Sequence, residues 1–224
     1  MELLEKQKMP LWDYVILTAS NESQAQSYRM QIQYRLDHGM LPKSIHYAVL
    51  PDPDGKRVGS GGDTLNVLRY IYQDAGSFDD KRILVIHSGG DSKRVPQYSA
   101  CGKLFSPVPR LLPNGRRSTL FDEFMISMCG VAARIRAGML VCSGDVLLLF
   151  NPLQIDFYGS GAAALSIKES ADIGKNHGVY RVDDQGNVGG FLHKKTVDQL
   201  YELQAVDEKG NVDIDTGAVI MDTD

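Results

Sequence analysis

An α/β protein built on a mostly parallel sheet is what this sequence predicts, and three observations predict it. Through the first 150 residues, apolar β-branched segments alternate with segments of helical period, the pattern of a parallel sheet covered by helices on both faces. Glycine turns of one sequence, Ser-Gly-Gly-Asp, punctuate that alternation at 60–63 and again at 88–91. The last third changes to short strands around a turn signal, which adds a smaller antiparallel hairpin region.

Each element has its own justification. Residues 14–18 are apolar and β-branched and read as a strand; Asn21 with Gln24 then resembles a capping box for a helix that carries Met30, Ile32 and Leu36 and ends at Gly39. A strand over 45–50 runs into the turn-rich 51–55, after which the glycines from Gly59 open a helix capped by Asp63 and bearing Leu65, Leu68, Ile71 and Tyr72. Residues 83–86 form the third strand. A loop passes through Pro113, Asn114 and Gly115, and Leu120, Phe124, Met128, Val131 and Ile135 then recur at helical spacing until Gly138 stops the run. Residues 139–142 are the next strand, 178–182 and 188–192 flank the turn at 183–186, and 212–221 is the last strand.

Composition removes several function classes. The 224 residues carry 43% hydrophobic side chains, enough for a core, and a net charge of −4 without a continuous cationic stripe, so no nucleic-acid partner is expected. The amino terminus is charged throughout and has no apolar core of a secretory signal. The longest apolar stretch, 139–150, is interrupted by Asp145 and is too short for a bilayer, so no membrane is expected either. The three cysteines, Cys101, Cys129 and Cys142, lack CxxC spacing and leave one unpaired, which points to a reducing cytoplasm; Cys129 and Cys142 read as small core residues.

The chemistry concentrates after the third strand. His87, Ser88, Gly89, Gly90, Asp91, Ser92, Lys93 and Arg94 follow it directly, and Lys103 comes nine residues after Arg94. Glycine lets the backbone take positive φ and approach a ligand, and exposed amides favour anions. At the carboxyl end of a parallel strand, where ligands sit, Gly89, Gly90, Arg94 and Lys103 either surround a polyphosphate or form a plain turn with solvated cations. The Walker pattern is absent, and neither glycine loop satisfies G-x-G-x-x-G with a spaced ribose carboxylate. The run 88–92 comes near the S-G-G-x-D-S loop of adenylating ATP pyrophosphatases but lacks the residue between Gly90 and Asp91.

Asp145 interrupts an apolar run just after Gly144, where an unpaired buried carboxylate would be costly. A magnesium ion compensates it in one reading, since Mg2+ takes carboxylate and phosphate oxygens and keeps several waters; a helix N-cap role is the other.

A strand leading into a glycine-rich loop, an arginine near its end and a lysine about ten residues on resemble the signature of sugar nucleotidyltransferases. Gly144-Asp145 is similar to that superfamily's metal-binding strand end, and 176–180 with 191–195 to its sugar-side hairpin. Within it, 58–64, 87–103, 106–109, 143–145, 177–179 and 213–217 resemble L-fucose-1-phosphate guanylyltransferases, including the pyrophosphorylase part of bifunctional fucokinase enzymes.

The resemblance implies a Rossmann-like, GT-A-like fold in which the phosphate of a sugar 1-phosphate, L-fucose 1-phosphate, attacks the α-phosphorus of GTP with Mg2+ as cofactor. It implies Arg94 and Lys103 as catalytic cations, Asp145 on the metal, and Gly59, Ser60, Gly61, Gly62, Thr64, Ser88, Gly89, Gly90, Asp91 and Ser92 around the nucleotide. Gly178, Lys194, Asp215 and Gly217 would hold the sugar phosphate, unless Asp213 and Asp215 are simply a solvated strand face. His177 and His193 read as surface histidines. Two positions depart from the family pattern: Gly102 stands before Lys103 where proline is usual, and His193 before Lys194 where glutamate is usual. The resemblance also implies a single domain over 1–224, nucleotide-binding over 1–150 and sugar-phosphate-binding over 151–224, as the N-terminal part of a longer protein with a β-helical region and sometimes a sugar kinase. An adenylating enzyme, or a non-catalytic nucleotide-sugar binding domain, are the competing readings.

Overall fold

In the first of two structural units, formed by Met1–Ala163 with Ile220–Asp224, four parallel strands lie in the order β2-β1-β3-β6. They are β1 (Tyr14–Ala19), β2 (His46–Pro51), β3 (Arg82–His87) and β6 (Gly138–Ser143), with a short hairpin of β4 (Pro107–Leu111) and β5 (Arg117–Thr119) between. The second unit, Ala164–Val219, is antiparallel. The computed structural model describes residues 10–90, 96–98, 102–155, 157 and 161–223.

Strands buried on both faces read as continuous apolar runs, and β1 is buried at all six positions. The pleat sends Tyr14 and Ile16 of β1, Ile83 and Val85 of β3 and Met139 of β6 to one face, where Val67 and Ile71 cover them. The alternate set, Val15, Leu17, Leu84, Ile86, Leu140 and Cys142, is equally buried on the other.

Helix α1 (Glu22–Asp37) starts at Asn21, whose side chain accepts from the Gln24 amide. The Gln24 carboxamide reaches back one residue farther than a capping box requires, accepting from the Ser20 amide at 2.8 Å. Ala25, Tyr28 and Ile32 form the buried face. Met30 is 64% exposed, contrary to its reading as a core-facing residue, because it sits outside the i, i+3, i+7 stripe those three define.

Helix α2 (Gly59–Ala75) begins at Gly59, and its N-cap is Val58. Asp63 is therefore the fifth helical residue and not the cap. The helix also faces differently from its sequence reading. Val67 and Ile71, four residues apart, are its buried stripe, which turns Leu65 and Tyr72 to the surface at 68% and 59% exposure.

Helix α3 (Leu120–Ala132) opens with a complete capping box between Thr119 and Asp122. Ile135 lies beyond its end but is still buried. The expected loop through 113–115 is the tip of the β4–β5 hairpin, closed by a 2.8 Å hydrogen bond from the Leu112 amide to the Arg116 carbonyl. Cys142 is buried, and burial pushes its thiol up to about 12. Cys129 is only partly buried, a departure from the expected core position; Cys101 lies outside the described residues.

In the second unit, β7 (Ala162–Ser170) is followed by a turn of helix, α4 (Ala171–Gly174), then by the β8 (Gly178–Val182) and β9 (Val188–His193) hairpin. Helix α5 (Val197–Glu202) leads to β10 (Asn211–Met221), which pairs with both β7 and β8. Ala171, Val179, Leu200, Val212 and Ile214 make its own small core. Among the described residues no helix is long and apolar enough to cross a membrane.

Candidate functional site

The carboxyl ends of β1, β3 and β6 lie side by side, with Thr18 paired to His87 and His87 to Ser143. Each strand then leaves the sheet through small residues. At Gly144 a Cβ would stand 2.9 Å from the His87 carbonyl oxygen and 2.9 Å from the Ser88 Cβ, so only glycine lets the two chains approach this closely. The Gly144 amide donates to that same carbonyl at 2.8 Å.

Core donors hold the loop after β3. The Ser88 hydroxyl donates to the Thr18 carbonyl at 2.8 Å, the Tyr28 hydroxyl to the Ser88 carbonyl at 3.0 Å, and the Gln24 carboxamide to the Gly90 carbonyl at 3.3 Å. With the Ser88 carbonyl turned toward Tyr28, the planar trans peptide points the Gly89 amide the opposite way, where a donor can meet an anion. Asp91, Ser92 and Arg94 lie outside the described residues.

Lys103 and Asp145, 42 residues apart in sequence, meet across this strand end at 3.3 Å. Lys103 starts a single 3-10 turn, Lys103–Phe105, anchored by the buried Leu104 and Phe105. Asp145 also accepts from the Ser143 hydroxyl at 2.8 Å. Burial alone would raise its pKa, but the Ser143 and Lys103 hydrogen bonds and the Lys103 charge outweigh that and hold it below the usual carboxylate range. Asp145 is not the buried carboxylate the sequence suggested. Its side chain is 51% exposed, because β6 ends at Ser143 and the Gly144 turn carries the following leucines outward, Leu149 to 73% exposure. No helix begins at Asp145, and the next helical turn, Pro152–Gln154, is capped by Asn151, so the N-cap reading also fails.

His87, Ser88, Gly89, Lys103, Gly144 and Asp145 line a recess of about 80 Å3, room for a phosphoryl group rather than a nucleoside. An ionised, accessible carboxylate beside an anion-sized recess fits Mg2+, which needs only one or two protein carboxylates besides phosphate oxygens and water. Among the described residues no three His, Cys, Asp or Glu side chains cluster as a closed metal site would require.

The first glycine turn meets this strand end through Thr64. Its hydroxyl donates to the Ser60 carbonyl at 2.9 Å and lies 3.0 Å from His87 Nε2. Of the glycines, Gly59 has a φ of 72° and Gly62 packs against Val58, where a Cβ would come within 2.6 Å. Gly61 has neither constraint and is exposed. Burial first, then the neighbouring Asp52 carboxylate, push Asp63 up to about 6. Arg57 was missed in the sequence: its guanidinium lies 3.8 Å from where a Gly90 Cβ would stand. Its position just before the first glycine turn was the available signal.

Gly102 departs from the family's usual proline for a visible reason. Its φ is 68°, in the region a proline ring forbids, and a Cβ would overlap the Tyr28 hydroxyl and stand 2.6 Å from two carbons of its ring. Gly102→Ala is expected to cost about 1–3 kcal/mol through overpacking against a buried ring. Urea denaturation checks this, and a variant as stable as the parent would refute the fit.

In the second unit the residues expected on the sugar side, Gly178, Lys194, Asp215 and Gly217, lie at one end of β8, β9 and β10. Gly178 is opposite His193, the neighbour of Lys194, and a Cβ on it would stand 2.5 Å from the Phe191 ring. Asp215 accepts from the Tyr180 hydroxyl and the Gly217 amide, both at 2.8 Å. Burial, then this bond to Asp215, raise the Tyr180 pKa. Lys194 is exposed, with a φ of 48°, and its amide donates to the His177 carbonyl at 3.0 Å. Asp213 is not a solvated partner of Asp215: it is 9% exposed and bonded to Ser166 and Lys168.

Parallel strands whose carboxyl ends open on a small recess between a lysine and a carboxylate place the molecule in the class of α/β proteins with a parallel sheet, in which ligand sites generally lie at that edge. The match to known proteins narrows that class. Residues 75–224 match the fucose pyrophosphorylase domain, and the chain belongs to that family. It is 32% identical over 248 residues to a bifunctional fucokinase/GDP-fucose pyrophosphorylase of Arabidopsis thaliana, covering 95% of this chain and 23% of that protein. It is 31% identical over 218 residues to a human fucose-1-phosphate guanylyltransferase, covering 89% of this chain and 35% of that one. A 66-residue stretch is 44% identical to an L-fucokinase/L-fucose-1-P guanylyltransferase of Bacteroides fragilis. The chain thus spans about a quarter to a third of the length of the first two relatives.

Proposed function

We propose that the chain supplies the site for transfer of GMP from GTP to L-fucose 1-phosphate, yielding GDP-fucose and pyrophosphate. The observation that carries this reading is the meeting of Lys103 and Asp145 beside Gly89 at the end of β3 and β6, in a member of the fucose pyrophosphorylase family.

A phosphate oxygen of the sugar 1-phosphate attacks the α-phosphorus of GTP, and the bond from that phosphorus to the β-bridging oxygen breaks, its electron pair leaving on pyrophosphate. The nucleophile is already anionic at neutral pH, so no strong general base is needed. What the reaction needs is alignment and neutralisation of charge. Lys103 serves the α-phosphate as a point charge, and Arg94 the departing β- and γ-phosphates through its planar fork. The amides of Gly89 and Gly90 add donors, and the turn from Gly59 to Thr64 borders the nucleotide. Asp145, assisted by Ser143, would hold Mg2+, which supplies Lewis-acid polarisation of the phosphate oxygens. Gly178, Lys194, Asp215 and Gly217 hold the sugar phosphate.

Pyrophosphate release measured with four nucleoside triphosphates, a panel of sugar 1-phosphates and Mg2+, on this chain and on a longer form, tests the reading. Release is expected with GTP and L-fucose 1-phosphate together. Turnover confined to ATP with a non-phosphorylated acceptor would overturn it in favour of an adenylating enzyme.

A further inference from the structure

His87 ends β3 with its ring between two threonines. Nδ1 lies 3.2 Å from the Thr18 hydroxyl on β1, and Nε2 lies 3.0 Å from the Thr64 hydroxyl in the first turns of α2. The proton count settles which way these bonds run. The single hydroxyl proton of Thr64 goes to the Ser60 carbonyl at 2.9 Å, so Thr64 can only accept from the ring. Nε2 therefore carries the hydrogen, Nδ1 is the bare lone pair, and Thr18 donates to it. Thr18 is 1% exposed, so a lost partner there would leave a hydroxyl buried and unpaired.

We infer that His87, as the neutral Nε2–H tautomer, is a positioning residue that fastens the first glycine turn to the end of the parallel sheet and so sets the affinity for the nucleotide. The inference rests on the proposed function, since it assigns the two glycine turns to one ligand. The same ring lines the recess with Lys103 and Asp145, so β1, β3 and α2 are joined at the point where a phosphate would enter. Burial lowers the pKa of the ring, which agrees with a neutral imidazole in this place. A cationic ring would have both nitrogens as donors and could not accept from Thr18. Among the described residues the charged groups nearby are Lys103 and Asp145 across the recess and, beside Thr64 on α2, Asp63 with Asp52.

The test compares His87→Leu, which removes both bonds, with His87→Gln, whose amide nitrogen reaches toward the Nε2 position. Binding of GTP with Mg2+ by calorimetry and steady-state kinetics are measured on each. For His87→Leu, Kd and KM for GTP are expected to rise about tenfold, the equivalent of roughly one net hydrogen bond. The KM for L-fucose 1-phosphate is expected to stay within about threefold of the parent and kcat likewise. His87→Gln is expected to recover most of the loss. Nitrogen-15 spectra of the parent protein provide a reading independent of activity, with a protonated Nε2 and an unprotonated Nδ1 expected for His87 at pH 7. The opposite tautomer, an imidazolium, or a His87→Leu protein that binds GTP as tightly as the parent would overturn the inference. Should His87→Leu not fold, the Gln variant and the spectra decide it. If the parent itself binds no nucleotide, the proposed function falls and the inference with it; if the parent binds GTP and His87→Leu binds it as tightly, the inference falls alone.

Discussion

Lys103→Met is expected to lower kcat for pyrophosphate release by about 10²–10³-fold, the usual loss when one group aimed at developing transition-state charge is removed. The substitution keeps the length and apolar stem of the side chain, so Leu104 and Phe105 retain their burial in the turn it begins. The ion pair with Asp145 is about a third to a half exposed, and such pairs contribute ~0–1 kcal/mol. Thermal unfolding should therefore change little while turnover collapses. A variant that keeps turnover within about threefold of the parent would remove Lys103 from the chemistry and undo the reading of the recess as a phosphate site.

Arg35→Ala is expected to destabilise the fold by about 3–5 kcal/mol, because it strands a buried carboxylate. Arg35 holds Asp122 through two bonds, 2.7 Å from Nε to Oδ1 and 3.0 Å from Nη2 to Oδ2, with side chains 5% and 8% exposed. It also donates to the Thr119 hydroxyl at 3.0 Å and stacks 5.1 Å from the Phe105 and 5.5 Å from the Phe121 ring centroids. The same residue thus ties α1 to the cap of α3 and to the turn that carries Lys103. Burial pushes the Asp122 pKa up, and the Arg35 and Thr119 hydrogen bonds with the Arg35 charge overcome it, leaving the carboxyl below its ordinary value.

The pH dependence follows from that sign. A carboxyl depressed in the folded state contributes stability that is full above its unfolded pKa of about 3.9 and is lost as pH falls through the lower folded value. The gap between the parent and an Asp122→Asn variant, measured by urea denaturation, should be constant near pH 6–7 and shrink below about pH 4. A loss under about 1 kcal/mol for Arg35→Ala would mean the pair is not load-sharing in the core.

What could be read from the sequence depended on how the physics is written in it. β1, β3 and β6 are buried on both faces, so they appear as apolar runs, with glycine just beyond the ends of β3 and β6, and the β8–β9 hairpin announces itself through the Asp183 turn. Lys103, Asp145 and the glycines of both turns stand out through their spacing and the family resemblance it carries. Strand β7 escaped, because most of its positions are exposed or only partly buried and it shows no alternation. The face of α2 differs from its sequence reading because Leu65 and Tyr72 are apolar yet exposed, offset by about 200° and 100° around the helix from Val67 and Ile71. The ties that build the site were invisible in principle. Thr18 to His87, Tyr28 to Ser88 and Lys103 to Asp145 each join residues more than 40 positions apart, a relation no local pattern encodes. Arg57 carries a cation to Gly90 in the same unannounced way.

Tyr28 touches the chain at two distant points: its hydroxyl donates to the Ser88 carbonyl, and its ring is the surface on which Gly102 rests. Departure and return of the segment that includes Arg94 are thereby moored to one side chain of α1. Closing a longer excursion between fixed ends adds only ~0.6 kcal/mol per doubling of length. A change in the length of that segment should therefore cost the fold little, and Lys103 should stay where the tyrosine leaves it.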